Sequence, residues 1–185
     1  ASIDRNIGKV RNYGLELELG AKILRIGDFS WSLRANATLL RNKIVKLPDL
    51  NREEGIIVGT KKYMEGHSIY DYFVYEYLGV DPADGKAMYR LDKEKYPDEP
   101  GLEATGERAT YTKNGEKARK HYTGSSIPDV YGGFSTNFRY NDIGLNFVFA
   151  YHIGGKSYDG PYQDMMSRDL SSGTAMHPDL YRAWR

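Results

Sequence analysis

The sequence predicts an all-β chain: an antiparallel meander of about six strands, forming part of a transmembrane β-barrel wall with long loops at one end. Three observations predict it. Apolar and polar residues alternate with period two over unusually long runs. The connections sort by length, short ones at one end of the strands and long polar ones at the other. Aromatic residues gather where strands meet the short turns, the level at which amphipathic rings sit in a membrane.

The first strand reads from Asn12-Tyr13-Gly14-Leu15-Glu16-Leu17-Glu18-Leu19-Gly20-Ala21-Lys22-Ile23. Tyr13, Leu15, Leu17, Leu19, Ala21 and Ile23 share one face, and Glu16 and Glu18 stand on the other. A polar break at 25–28 leads to a second strand, with Phe29, Trp31, Leu33, Ala35, Ala37 and Leu39 on one side and Ser30, Ser32, Arg34, Asn36 and Thr38 opposite. The two make an antiparallel hairpin. Both exceed the usual 5–6 residues of a globular strand and reach the roughly 9–11 of a tilted membrane-spanning one.

Residues 48–66 are charged and glycine-rich and read as a loop. Residues 68–78 carry Tyr70, Tyr72, Phe73, Tyr75 and Tyr77 and read as a strand with two partly aromatic faces. Asp81-Pro82-Ala83-Asp84-Gly85 is a turn, since proline presets φ and glycine admits a positive one, and 86–91 is a short returning strand. Residues 93–126, with Pro97, Pro100, Gly101, Gly106, Gly115 and Gly124, form a long irregular loop. Alternation resumes with Val130, Gly132, Phe134, Thr136, Phe138 and Tyr140 against Tyr131, Gly133, Ser135, Asn137 and Arg139. Asn141-Asp142 turns the chain into Leu145, Phe147, Phe149 and Tyr151, which alternate with Asn146, Val148, Ala150 and His152. Beyond Gly154 the chain is irregular, with a short helical turn near 163–166.

Composition removes several classes. Lys and Arg number 26 against 25 Asp and Glu, so the basic excess of a nucleic-acid binder is absent. There is no cysteine, hence no disulfide framework and no thiolate metal site. A mean hydropathy of −0.63 and the lack of any run near 20 apolar residues exclude a helical membrane protein. Neither touches a membrane β-barrel, whose alternation hides its apolar content. Ala1-Ser2-Ile3-Asp4 has no basic or apolar segment of a signal peptide. About six strands fall short of the roughly 8 that close the smallest membrane barrel, and open edges in lipid leave amides unpaired, so the chain is expected to be part of a longer one.

In that geometry Leu15, Leu17, Trp31, Leu33, Phe134, Phe138, Phe147 and Phe149 face lipid, and Glu16, Glu18, Arg34, Asn36, Asn137 and Arg139 face an aqueous lumen. Glu16 and Glu18 lie two residues apart, about 6.6–7 Å along a strand, which overlaps the carboxylate spacing of inverting glycosidases. A solvated lumen wall accounts for them without catalysis. His67, His121, His152 and His177 are scattered and form no ligand pair, and Asp81 to Gly85 lacks the alternating acids of a calcium loop, so no metal and no cofactor is expected. Gly124-Ser125-Ser126-Ile127-Pro128 is no nucleophile elbow, and phosphate-binding glycine motifs are absent. No catalytic residue is assigned. The short basic cluster at 113–120 reads as a solvated loop. The loop tyrosines Tyr63, Tyr111, Tyr122, Tyr158 and Tyr162 are candidates for stacking on a substrate or packing against a lid, with packing within the loops as the plainer role.

Several segments carry a family likeness. Asn12-Tyr13-Gly14-Leu15-Glu16-Leu17-Glu18-Leu19 resembles a strand motif of TonB-dependent outer-membrane receptors. Asp28-Phe29-Ser30-Trp31-Ser32-Leu33 with Asn42-Lys43-Ile44-Val45-Lys46-Leu47 resembles the next strand and rim of the SusC/RagA type. Glu65-Gly66-His67-Ser68-Ile69-Tyr70, Gly79-Val80-Asp81-Pro82, Gly85-Lys86-Ala87-Met88-Tyr89, Ile127-Pro128-Asp129-Val130-Tyr131-Gly132-Gly133-Phe134, the run 147–155 and Tyr181-Arg182-Ala183-Trp184 follow in the family's order. The resemblance covers nearly the whole chain. It implies a fragment from the later part of a 22-stranded barrel in the bacterial outer membrane. The plug domain and terminal strands of the family are not in this sequence, which makes residues 1–185 a partial barrel domain. It further implies import of oligosaccharides or peptides together with a SusD-like surface lipoprotein, often as a dimer of such pairs. The drive would come from TonB–ExbB–ExbD through the missing N-terminal part. The expected contacts are thus lipid, lipoprotein and substrate, with no nucleic acid and no enzymatic activity. Two alternatives stay open at this stage: a secreted β-sandwich carbohydrate-binding module, and an enzyme using Glu16 and Glu18.

Overall fold

The computed structural model describes residues 8–103, 110–166 and 175–183. Its strands are β1 Lys9–Ile26, β2 Phe29–Lys46, β3 Ile56–Val58, β4 Lys61–Tyr63, β5 Asp71–Tyr75, β6 Tyr77–Val80, β7 Ala87–Arg90, β8 Leu102–Glu103, β9 Thr110–Thr112, β10 Lys120–Ser125, β11 Val130–Tyr140 and β12 Ile143–Ile153, followed by the helix α1 Gly160–Met166. The chain divides into two compact units, residues 1–72 with 124–156 and residues 73–123 with 157–185. The readings of Ala1 to Asp4, Gly106 and Trp184 lie outside the described residues. No described helix is long and apolar enough to cross a membrane.

The first unit is dominated by one antiparallel sheet in the order β1-β2-β11-β12. β1 and β2 run 18 residues each, β11 and β12 11 each. Two-residue turns, Gly27-Asp28 and Asn141-Asp142, close the hairpins, and Gly27 (φ 54°) and Asn141 (φ 49°) take the left-handed conformation that such tight turns require. Tyr140 lies opposite Phe29, so both turns fall at the same end of the sheet. The chain leaves β2 and enters β11 at the other end.

Two strands of the expected meander are not wall strands. Residues 68–78 and 86–91 belong to small separate sheets, and β2 pairs directly with β11. The wall therefore has four strands rather than about six, and the Asp81 to Gly85 turn is a turn within the excursion. Short aromatic-rich strands satisfy the same alternation rule whether they sit in a wall or in a folded loop, and only length separates them. The expected loops at 48–66 and 93–126 contain the strands β3, β4, β8, β9 and β10. The polar break at 25–28 is also shorter than the sequence suggests. β1 continues to Ile26, and a bulge at Ile23 resets the alternation so that Leu24 pairs with Trp31 and Ile26 with Phe29.

Beyond the last β2–β11 partners, the freed edge of β2 is taken up by the loop. The Ile44 N–H donates to His67 O at 2.8 Å and the Gly66 N–H to Ile44 O at 2.9 Å. Ile44 (1% exposed) and Leu47 are buried there. In the second unit, β6-β7-β9-β8 form a four-stranded sheet, and Leu91, Tyr111 and Ala118 supply its buried apolar residues.

Candidate functional site

In an antiparallel sheet, directly opposed residues share a face, so the register assembles the two surfaces of the wall. One surface consists of continuous rows: Leu17–Ala37–Gly132–Tyr151, Leu19–Ala35–Phe134–Phe149, Ala21–Leu33–Thr136–Phe147 and Leu24–Trp31–Phe138–Leu145. All eight residues expected to face lipid stand on this surface. It is not sealed into a core: Leu15 is 64% exposed, Leu17 50% and Phe149 48%. Phe134 stacks on Phe149 with ring centres 4.6 Å apart, and Trp31 on Phe138 at 5.6 Å. The Trp31 indole N–H donates to Thr136 Oγ1 at 2.8 Å, which settles its one polar group on an apolar surface.

The other surface carries the rows Glu16–Thr38–Tyr131–His152, Glu18–Asn36–Gly133–Ala150, Gly20–Arg34–Ser135–Val148, Lys22–Ser32–Asn137–Asn146 and Arg25–Ser30–Arg139–Gly144. All six residues expected to face the lumen are on it. Asn36 also stitches the strands, its side-chain oxygen accepting the Gly133 N–H at 2.9 Å while its backbone oxygen accepts the Tyr151 hydroxyl at 3.0 Å. That second bond reaches over Gly132. A Cβ built there would stand 2.1 Å from Asn36 O, so only glycine fits.

At the loop end a buried polar cluster ties the rim to β2. Asn42 donates to Asn12 Oδ1 at 2.6 Å, and its own oxygen accepts the Ser68 hydroxyl at 2.9 Å and the Ile69 N–H at 3.0 Å. Glu65 accepts the Leu47 N–H at 3.0 Å and pairs with Arg52. The Leu47 bond, opposed by partial burial and helped by Arg52, holds the Glu65 carboxyl below its ordinary pKa. Sequence reasoning passed over Asn42, because its amide has meaning only once residues 65–71 fold back on it.

The tyrosine candidates part company. Tyr111 is 8% exposed and is withdrawn as a contact residue, since its ring packs inside the second unit. Tyr122 is tilted against Phe73 at 5.0 Å. Tyr63 lies half-buried on β4. Tyr158 remains exposed, with its hydroxyl on Gln163. Tyr162 donates to Asp179 Oδ2 at 3.1 Å, and this bond, which requires the protonated phenol, raises its pKa, with burial and the carboxylate's charge adding to the effect. The Asp81 to Gly85 turn is clamped by Lys113, whose ammonium lies 2.6 Å from Asp81 and 3.0 Å from Asp84. Lys113 therefore lowers both carboxyl pKa values, helped by the N–H groups of Ala83 and Lys86, and its own rises. Among the described residues no group of histidines and acids is arranged to hold a metal ion.

No family model matches the chain. It is 29% identical, over 97% of its length, to TonB-dependent receptor P3 of Formosa agariphila, and 25% identical over 95% to TonB-dependent receptor SusC of Bacteroides thetaiotaomicron. A solved structure of the RagAB peptide transporter matches 98% of the chain with a TM-score of 0.78 at 22% identity, which supports the fold. The chain resembles SusC/RagA-type TonB-dependent receptors. It spans 18% and 17% of the lengths of the two curated relatives and 19% of the RagAB chain. The sheet, with one apolar and one polar surface, has the fold of a stretch of β-barrel wall.

Proposed function

We propose that the chain is a wall-and-rim segment of a TonB-dependent outer-membrane importer. Its four-strand wall is one stretch of a 22-stranded barrel, and neighbouring strands pair with the outer edges of β1 and β12. Leu15, Leu17, Trp31, Leu33, Phe134, Phe138, Phe147 and Phe149 contact acyl chains. Glu16, Glu18, Arg34, Asn36, Asn137 and Arg139 line the bore. The observation that carries this reading is the solvent-exposed apolar surface built by register across β1, β2, β11 and β12. A secreted sandwich would hide that surface beneath a second sheet, because contiguous apolar patches of this kind are avoided on soluble monomers.

The substrate is an oligosaccharide or a peptide. The RagAB likeness favours the peptide, and exposed Tyr158 and Tyr162, with Tyr63 and Tyr122, provide rings suited to either. A SusD-like lipoprotein closes the loop side, in a dimer of transporter–lipoprotein pairs, and TonB–ExbB–ExbD supplies the drive. The segment performs no catalysis: Glu16 and Glu18 act as bore charge, and Glu→Gln exchange at both leaves no turnover to lose.

Uptake by cells expressing the intact protein tests this. Labelled oligosaccharide or oligopeptide should accumulate only when the protein is present and the proton gradient is intact. Recovery of the protein as a soluble secreted species would overturn the reading.

A further inference from the structure

We propose that the outward surface of the β1–β2 hairpin carries, just beyond its apolar band, a binding site for phosphate groups of anionic lipids in the loop-side leaflet. The inference rests on the membrane-wall reading above and adds a ligand to it. Above Leu15 and Leu39 the register places Tyr13 opposite Arg41, Arg11 opposite Lys43 and Lys9 opposite Lys46. The first two pairs continue the surface of Leu15, Leu17 and Leu39 and replace leucine first by tyrosine and then by cations; the register breaks at Val45 before the third.

Burial gives the direction independently. On β2, Asn42 and Ile44 are buried beneath residues 66–69, whereas Arg41 and Lys43, which alternate with them, are exposed. The cations thus stand on the side away from the rim loop, which is the side of the apolar rows. Their height fits as well. Ten residues separate Trp31 from Arg41 along β2, and at about 3.3 Å per residue and a tilt of about 35–45° this spans roughly 23–27 Å, the height of an outer-membrane apolar band. Arg41, and Arg11 and Lys43 one step further, therefore stand at the level of lipid phosphates.

Charge complementarity selects the occupant. Arg41 is partly neutralised by Asp129 at 3.5 Å, and Lys46 lies close enough to Glu65 to lower its pKa. Among the described residues Lys9, Arg11 and Lys43 have no acidic partner within ion-pair distance. Opposed side chains on paired strands start about 5 Å apart, so Arg11 and Lys43 repel unless an anion lies between them. A phosphate accepts from a guanidinium fork and an ammonium together, and a cationic cluster beside an anionic leaflet is the arrangement that retains such lipids.

The test is native mass spectrometry of the intact protein released from nanodiscs containing equal phosphatidylglycerol and phosphatidylcholine. The wild type should retain the anionic lipid selectively, and Arg11→Gln/Lys43→Gln should lower that retention roughly thirtyfold, as loss of two interfacial cations implies. The charge-preserving Arg11→Lys/Lys43→Arg should retain it, which separates the site from a folding defect. Lys22→Gln, on the opposite surface, should leave it unchanged. Equal retention by wild type and the double Gln variant, an equal loss in Lys22→Gln, or displacement by millimolar inorganic phosphate would overturn the proposal. Quenching of Trp31 fluorescence by brominated acyl chains, read on the same samples, isolates the wall reading. Quenching without lipid selectivity sinks the lipid site alone, and absence of quenching sinks both.

Discussion

At the scale of single residues, the wall makes opposite demands on neighbours. Leu17 and Glu18 adjoin in sequence and stand on opposite surfaces. On the proposed membrane-wall reading, Leu17→Arg places a charge in hydrocarbon and should cost about 2–4 kcal/mol near the membrane midplane. Glu18→Arg exchanges one solvated charge for another and should change stability by less than about 0.5 kcal/mol. Guanidinium unfolding of the intact protein in lipid vesicles measures both. Glycines sort in the same way. A methyl group at Gly132 meets Asn36 O at 2.1 Å, whereas one at Gly144 meets nothing within 4 Å. Gly132→Ala should therefore destabilise by about 1–3 kcal/mol, as overpacking does, and Gly144→Ala should be close to neutral.

At the scale of elements, two polar devices hold the excursion between β2 and β11. Asn42→Ala orphans the Ser68 hydroxyl and the Ile69 N–H and should cost about 1–3 kcal/mol. Limited proteolysis should then cut within residues 64–71, which the wild type protects. The Lys113 clamp makes a pH prediction. The carboxyl pKa values of Asp81 and Asp84 are lowered, so their contribution is present above about pH 4 and is lost as acid protonates them. The pKa of Lys113 is raised, so its contribution is full below about pH 10 and disappears in stronger base. Amide protection at Gly85 and Lys86 should be level between those limits and fall outside them. Lys113→Met should lower it throughout and abolish the plateau. The turn itself was legible from Pro82 and Gly85, since local conformational limits dictate it. The clamp was not, because Lys113 lies far along the chain and meets Asp81 only after β6, β7 and β9 have paired.

At the scale of the whole molecule, the long strands were readable and the short ones were not. Alternation over β1, β2, β11 and β12, interrupted in β1 by the bulge at Ile23, sorts residues onto two surfaces, and the register keeps the eight expected lipid-facing and the six expected lumen-facing residues on separate ones. Strands of two to six residues, such as β8 and β10, feel no such constraint and merge into their loops. The same limit explains why residues 68–91 read as wall and why Tyr111 read as exposed: it is buried on a strand flanked by β7 and β8, opposite Arg90 and Leu102, which neighbour it only in the fold.

The central claim is that β1 separates acyl chains from water, one side chain at a time. The chain has no cysteine, so single cysteines at positions 15 to 19 of β1 provide unique labels within this segment. Spin labels at these positions in membrane-inserted protein should alternate: oxygen-accessible at 15, 17 and 19, and accessible to a water-soluble nickel chelate at 16 and 18. Uniform accessibility along the run, or labels at 15, 17 and 19 shielded from both reagents, would contradict the account.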